Sequence, residues 1–124
     1  MGKTGATGLT RLSNATWYTL KGLRAAWLNE EAFRQEVLLV AVSLPLALWL
    51  AQTWVQFALL FATGLLVVIV ELINSALEAV VDRISDERHE LSGRAKDMGS
   101  AAVFVSLALM AVVWLAVLAE RLTS

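Results

Sequence analysis

The feature that most constrains this chain is an apolar run that extends from Val37 almost to Val70. As a single helix the run would be about 50 Å long at ~1.5 Å per residue, which exceeds a hydrocarbon core of roughly 30 Å. The run must therefore be divided. Its only polar cluster is formed by Gln52, Thr53 and Gln56. A tight turn at this cluster gives two membrane-spanning segments where composition alone would suggest one.

Three spans follow from this division. Span one is predicted at about residues 33–51, with Pro45 inside it, and span two at about residues 55–83. Span three, at about residues 93–119, contains an apolar run long enough to cross alone. The chain is 58% hydrophobic, whereas soluble domains are usually about 45–50% apolar. We therefore predict an all-α membrane protein with one domain over residues 1–124.

The segment of about residues 9–31 has a different pattern. Leucines and aromatic residues alternate at roughly helical spacing with Arg11, Lys21 and Arg24. This pattern predicts an amphipathic helix on the membrane surface. Its aromatic residues, among them Trp27, suit the headgroup level. The residues alone fit a plain surface anchor equally well.

The distribution of Lys and Arg orients the chain. The basic residues precede or begin span one, or lie between spans two and three, and only Arg121 follows span three. The positive-inside rule then puts the N-terminus and the loop at residues 83–97 in the cytoplasm and the C-terminus outside. The net charge of −1 gives no nucleic-acid signal, and the absence of cysteine excludes thiol chemistry and disulfides.

Span two ends in a polar stripe. Five residues recur there at steps of three and four and share one helix face: Glu71, Asn74, Ser75, Glu78 and Asp82. Glu71 is expected about 24 Å along the span, just inside the hydrocarbon, and Glu78 about 34 Å along it, at the interface. A carboxylate at this depth costs ~1–3 kcal/mol. One structural hydrogen bond would not need three carboxylates and an amide on one face, so the stripe predicts a functional site.

The start of span three is a second candidate. The sequence RAKDMGS at residues 94–100 places Lys96 and Asp97 in the first turns of a helix that we expect to begin at about Gly93, with Ser92 as its cap. A lysine at a helix N-terminus suits phosphate. Taken alone, an ordinary cytoplasmic anchor is the simpler interpretation.

Two further carboxylates, Glu30 and Glu36, flank Arg34 at the start of span one. Brought near Glu78, they would form the all-oxygen kind of site that magnesium uses together with phosphate. The chain has no P-loop and no kinase-type glycine-rich loop, so nucleotide binding needs another construction. Because exposure of Glu71 to lipid would be costly, we also predict a homo-oligomer.

Three segments carry a family resemblance: LKGLRAAWLNEEAFRQE (20–36), VELINSALEAVVDR (70–83) and HELSGRAKDMGSAAV (89–103). They resemble the prokaryotic integral-membrane diacylglycerol kinases, with the same order and spacing over about residues 10–118. The resemblance implies a surface helix and three transmembrane helices in a homotrimer of the bacterial inner membrane, with a periplasmic C-terminus. Its active sites would lie at cytoplasmic subunit boundaries. They would transfer phosphate from magnesium-ATP to diacylglycerol, giving phosphatidic acid.

The resemblance also implies individual roles. Glu71 matches the general base, and Glu30 and Glu78 match the magnesium ligands. Asn74, Lys96 and Asp97 match further catalytic residues. Nucleotide contacts are expected at Arg11, Tyr18, Glu30, Glu78, Glu87, Arg88, His89, Lys96 and Asp97. Lipid contacts are expected at Arg24, Trp27, Arg34, Glu36, Trp49, Glu71, Ser100 and Trp114.

Two other functions remain open at this point. Undecaprenol kinases share the Glu-Asn-Glu and Lys-Asp motifs, although residues 24–36 and the region of Trp114 favour the diacylglycerol branch. A non-enzymatic proton- or cation-handling helix bundle would also use intramembrane acids. Such a relay needs polar residues that continue to the outer surface, and span two is apolar from Phe57 to Val70 apart from Thr63 and Gly64. A purely structural membrane subunit would leave the stripe unexplained.

Overall fold

The computed structural model of the chain describes residues 7–84 and 89–124. Regular structure in these ranges is entirely helical, and three of its four helices are long and apolar enough to cross a membrane. These observations confirm the all-α class and give three helices that could serve as the predicted spans. Pro45 lies inside the first span without ending it. The helices are α1 (Gly8–Asn29), α2 (Glu31–Leu50), α3 (Trp54–Ile84) and α4 (Glu90–Thr123).

The start of α4 corrects one expectation. The helix begins at Glu90, because His89 is in extended conformation and its Nδ1 accepts a hydrogen bond from the Leu91 N–H at 3.0 Å. The imidazole thereby satisfies one of the N–H groups that a helix start leaves without an intrahelical partner. The predicted cap at Ser92 and the predicted start at about Gly93 are therefore wrong.

The turn between α2 and α3 has a reciprocal cap. The Thr53 hydroxyl accepts from the Gln56 N–H at 3.1 Å, and the Gln56 side chain accepts from the Gln52 N–H at 2.8 Å. This arrangement is close to a capping box, which explains why α3 begins directly after Thr53. The predicted division of the long apolar run therefore coincides with a locally encoded helix start.

The C-terminal end of α2 is held by a residue from α4. Arg121 donates to the carbonyl oxygens of Trp49 at 2.9 Å and Leu50 at 3.2 Å, and its guanidinium lies 4.6 Å from the centre of the Trp49 ring. These carbonyls are among those that the end of a helix leaves without intrahelical donors. The contacts fasten α2 to α4 at this end of the bundle.

The apolar core lies at the same end. It consists of Ala47, Leu50, Leu60 and Val117, with Trp114 packed against it. The central helix α3 packs most extensively against α4 and then against α2, whereas α1 contributes one buried residue, Ala26. Many large apolar side chains on the outer faces of the spans are exposed, as expected of surfaces that meet lipid. The opposite end of the bundle is more loosely covered and carries the polar stripe.

Candidate active site

The site is organised around Glu71 on α3. Its side chain is 3% exposed, and the hydroxyl of Ser75, one turn later, donates to its Oε2 at 2.8 Å. From α2, the carboxyl of Glu36 is in contact with that of Glu71, and its own Oε2 is buried without a donor among the described residues. Two acidic side chains from different helices therefore lie together at the centre of the site.

Asn74 lies beside this pair and is also buried. Its Oδ1 has no hydrogen-bond partner among the described residues. Helix α4 lies close to α3 here, since a Cβ added at Gly99 would overlap this oxygen. Gly99 therefore lets the two helices meet with the Asn74 amide between them, and the buried Oδ1 has no donor among the described residues.

Lys96 projects from the first turns of α4 towards α3. Its Nζ lies 2.7 Å from Oδ1 of Asp82, and both side chains are partly exposed, 42% and 62% respectively. Its positive charge also acts on Glu78, one helical turn before Asp82. Lys96 and Asp82 therefore lie at the exposed end of the site, which we call its mouth, whereas Glu71 is buried further along α3.

Glu30 and Glu78 form the acidic side of this mouth. Glu30 is the single extended residue between α1 and α2, and its charge acts on Glu78. A cleft of about 530 Å³ between α1 and α3 has Glu30 and Ser75 in its walls. The described residues contain no group of three His, Cys, Asp or Glu that could hold a metal. Two carboxylates nevertheless fit magnesium, which usually takes one or two from the protein and the rest from phosphate and water.

An apolar groove of about 620 Å³ runs along α1, α2 and α3. Phe33 and Val37 contribute from α2 and Leu65 from α3, while Arg24 and Trp27 line it from α1. Arg24 is the charged member of this lining. The groove therefore has the composition expected for an acyl chain with a polar group at one end.

Arg34 acts at the junction of α1 and α2. Its Nη1 donates to the Trp27 carbonyl at 2.6 Å. The bond connects the last turn of α1 to the first turn of α2, next to the groove. Arg34, predicted at the lipid site, therefore helps to set the angle between the two helices that enclose the groove.

Several predicted residues lie apart from this cluster within one chain. Arg11 is exposed on α1, about 28 Å along that helix from Glu30. Trp49 lies with Arg121, and Trp114 packs on the core, both at the other end of the bundle. Tyr18, on α1, is 42% exposed.

Others lie towards the N-terminal end of α4 and are not in contact with Glu71. Asp97 and Ser100 are exposed on α4. His89 caps that helix, and the two remaining predicted nucleotide contacts, Glu87 and Arg88, lie outside the described residues.

Sequence reasoning placed Ser75 and Asp82 in the polar stripe but gave neither residue an individual role. Ser75 donates to Glu71, and its spacing of four residues was the available signal. Asp82 pairs with Lys96 across two helices. No spacing rule connects residues on different helices, so this contact depends on the packing of α3 against α4.

Comparisons with known proteins bear on this arrangement. The family described as prokaryotic diacylglycerol kinase matches residues 17–118. The chain is 53% identical to a diacylglycerol kinase of Haemophilus influenzae over 108 residues, covering 87% of this chain and 92% of the relative. It is 54% identical to that of Escherichia coli over 108 residues, 87% and 88% of the two chains. It is also 54% identical to that of Pseudomonas aeruginosa over 114 residues, 92% and 93%. These matches confirm the family and enzyme class that the three motifs predict.

Proposed function

This chain belongs to the prokaryotic diacylglycerol kinase family, and from that premise we propose that it transfers the γ-phosphoryl group of ATP to diacylglycerol, giving phosphatidic acid, at the cytoplasmic face of a bacterial inner membrane. The observation that carries the proposal is a buried carboxylate, Glu71, on the helix that lines the apolar groove through Val68 and pairs with Lys96 through Asp82. A lipid alcohol can reach such a group from the membrane, and a phosphate can reach it from water.

Glu71 is the proposed general base. The alcohol oxygen forms a bond to the γ-phosphorus while the bond from that phosphorus to the β–γ bridging oxygen breaks, and the alcohol proton passes to Glu71. The Ser75 hydroxyl orients the carboxylate through its 2.8 Å hydrogen bond. The carboxyl group of Glu36, on α2, faces Glu71 across the contact between α2 and α3. Asn74, with its unpartnered Oδ1, is proposed to orient the alcohol.

The phosphate end is proposed to lie at the mouth. Lys96 supplies positive charge and donors to the phosphate oxygens, close to the N-terminus of α4. Glu30 and Glu78 are the residues that would hold magnesium, which would neutralise phosphate charge when bound. Further nucleotide contacts are proposed from Arg11, Tyr18 and the segment at residues 87–89.

The lipid is proposed to occupy the groove along α1, α2 and α3. An acyl chain would pack on Phe33, Val37 and Leu65 and remove their surfaces from contact with other lipids. The Arg24 guanidinium would meet the polar linkage between chain and glycerol, at the headgroup level where we propose that α1 lies. The hydroxyl is then proposed to lie near Val68, one helical turn before Glu71.

A homotrimer completes the proposal. Asp97 and Ser100 are exposed on α4 in one chain, so they are available to a neighbouring copy. The polar stripe on α3 is covered on one side by α2 and α4, and a further helix would exclude lipid from the remainder. The orientation expected from the basic residues, with the N-terminus and residues 83–97 in the cytoplasm, puts the mouth on the side where ATP is found.

The test is transfer of labelled γ-phosphate from ATP in mixed micelles, with diacylglycerol and undecaprenol offered separately. We expect labelling of diacylglycerol, since the relatives reported above bear that name, and a loss of about 10²–10⁴-fold in kcat for Glu71→Gln. Glu120→Gln is the matched control, because Glu120 bonds to Gln56 at the other end of the bundle. It should leave kcat unchanged.

Each other result has a defined meaning. Labelling of undecaprenol alone would keep the phosphoryl transfer and replace the acceptor. Full activity in Glu71→Gln would refute the base. No labelling of either lipid by a folded protein would refute the kinase proposal and leave the helix-bundle alternative.

A further inference from the structure

Two ion pairs join described residues, and one of them connects different helices. Lys96 on α4 and Asp82 on α3 are 2.7 Å apart, whereas Arg94 and Glu90 form a pair within α4 at 3.3 Å. The Asp82 contact is short and charge-assisted. Lys96 is the residue proposed above to bind the phosphate, whereas Asp82 has no part in the proposed phosphoryl transfer.

Lys96 has two carboxylates within its electrostatic reach. Glu78 and Asp82 are one turn apart on α3, and both act on the lysine. A lysine side chain is a flexible stem with a compact charge at its end, so its position depends on its partner. The ion pair forms with Asp82, while no ion pair within 4 Å joins Lys96 to Glu78.

We propose that Asp82 is a positioning residue for Lys96: it takes one of the three ammonium donors, which leaves the other two for phosphate oxygens and keeps the lysine from neutralising Glu78. This inference rests on the proposed function, because it assumes that Lys96 meets the nucleotide. Asp82 itself touches neither substrate in this proposal.

The first test observes Lys96 without nucleotide. The chain has three lysines, at positions 3, 21 and 96. Reductive methylation with ¹³C-formaldehyde in detergent gives each an NMR signal, and Lys96→Arg identifies the one that belongs to Lys96. We expect Asp82→Asn to shift and narrow the Lys96 signal. Glu90→Gln, which removes the ion pair between Arg94 and Glu90, should leave the Lys96 signal unchanged. An unchanged Lys96 signal in Asp82→Asn would overturn the proposal.

The second test separates positioning from a merely structural contact. In Asp82→Asn we expect the KM for magnesium-ATP to rise about fivefold, near the upper end of what an exposed ion pair contributes. The KM for lipid and the thermal stability should not change. Asp82→Glu, which restores the charge on a longer arm, should recover most of the affinity, and Glu90→Gln should match the wild type.

The outcomes distinguish this inference from the kinase proposal. A shifted Lys96 signal together with wild-type KM for magnesium-ATP would make the ion pair structural and would overturn the positioning role alone. An inactive wild type would refute the kinase proposal, whatever the NMR signal does. Loss of stability in Asp82→Asn that Asp82→Glu does not rescue would also count against positioning.

Discussion

Replacement of Gly99 by alanine tests the central contact of the site. The added Cβ would overlap Oδ1 of Asn74 and would lie 3.1 Å from its Cγ and 3.2 Å from Cδ2 of Leu77. Carbon–oxygen contacts are normally above 3 Å, so we expect the Asn74 amide to move by roughly 1 Å. The obstacle is the end of a side chain and not backbone. The helices can therefore stay together while the amide is displaced.

The expected effect on catalysis is larger than the effect on folding. Misplacement of a group by about 1 Å at a reacting centre can cost about 100-fold in rate. Overpacking of this kind costs about 1–3 kcal/mol of stability, and we expect a value near the lower limit because the amide can rotate. Gly99→Ala should therefore lose about 100-fold in kcat while it remains folded, measured by phosphate transfer and by thermal loss of helicity.

Two matched glycines provide the controls. A Cβ at Gly64 would meet Val40 Cγ2 at 3.2 Å, a tight helix contact in the wall of the apolar groove and two turns from Glu71. A Cβ at Gly93 would meet nothing within 4 Å. Gly64→Ala should change the thermal stability and leave kcat unchanged. Gly93→Ala should lower neither the thermal stability nor kcat. In a protein that already carries Asn74→Ala, the Gly99→Ala substitution should lower kcat little further. Wild-type kcat in a folded Gly99→Ala protein, or a full further loss in the double variant, would refute this reasoning.

Two further predictions concern the base and the groove. Ser75→Ala removes the donor to Glu71, so kcat should fall about fivefold to tenfold, the equivalent of one hydrogen bond of ~1 kcal/mol. Ser13→Ala on α1 is the control. Equal activity in both variants would contradict the orienting role of Ser75. Leu65→Trp should fill the groove and raise the KM for diacylglycerol, without a change in the KM for magnesium-ATP, in micelle assays at varied lipid. A proportional rise in both constants would show that the groove is not a separate lipid site.

Sequence patterns predicted those features of the fold and the site that depend on residues within a single helix. The long apolar run and its polar interruption predicted two separate apolar helices, α2 and α3. Steps of three and four residues put Glu71 and Asn74 on one face, where both are buried. The start of α4 could not be obtained in this way. A histidine is an uncommon cap, and the choice between His89 and Ser92 depends on which side chain reaches a free N–H group.

Patterns within one helix could not predict the contacts between helices. Glu36 meets Glu71, and Lys96 meets Asp82, because α2 and α4 pack on α3 in one particular register. Gly99 helps to set that register, and its importance appears only when a Cβ is placed against Asn74. The roles of Asp97, Ser100 and Trp114 stay predictions, since they concern surfaces that one chain does not complete.

The junction at Glu30 has a mechanical consequence. One residue separates α1 from α2, and that residue carries a carboxylate proposed to hold the metal. The helix that we propose to lie along the bilayer surface cannot tilt against the helix that crosses it without swinging this ligand. Bilayer thickness, curvature and headgroup crowding all act on that angle. The reaction rate of such an enzyme would vary with the mechanical state of its membrane, even at constant concentrations of both substrates.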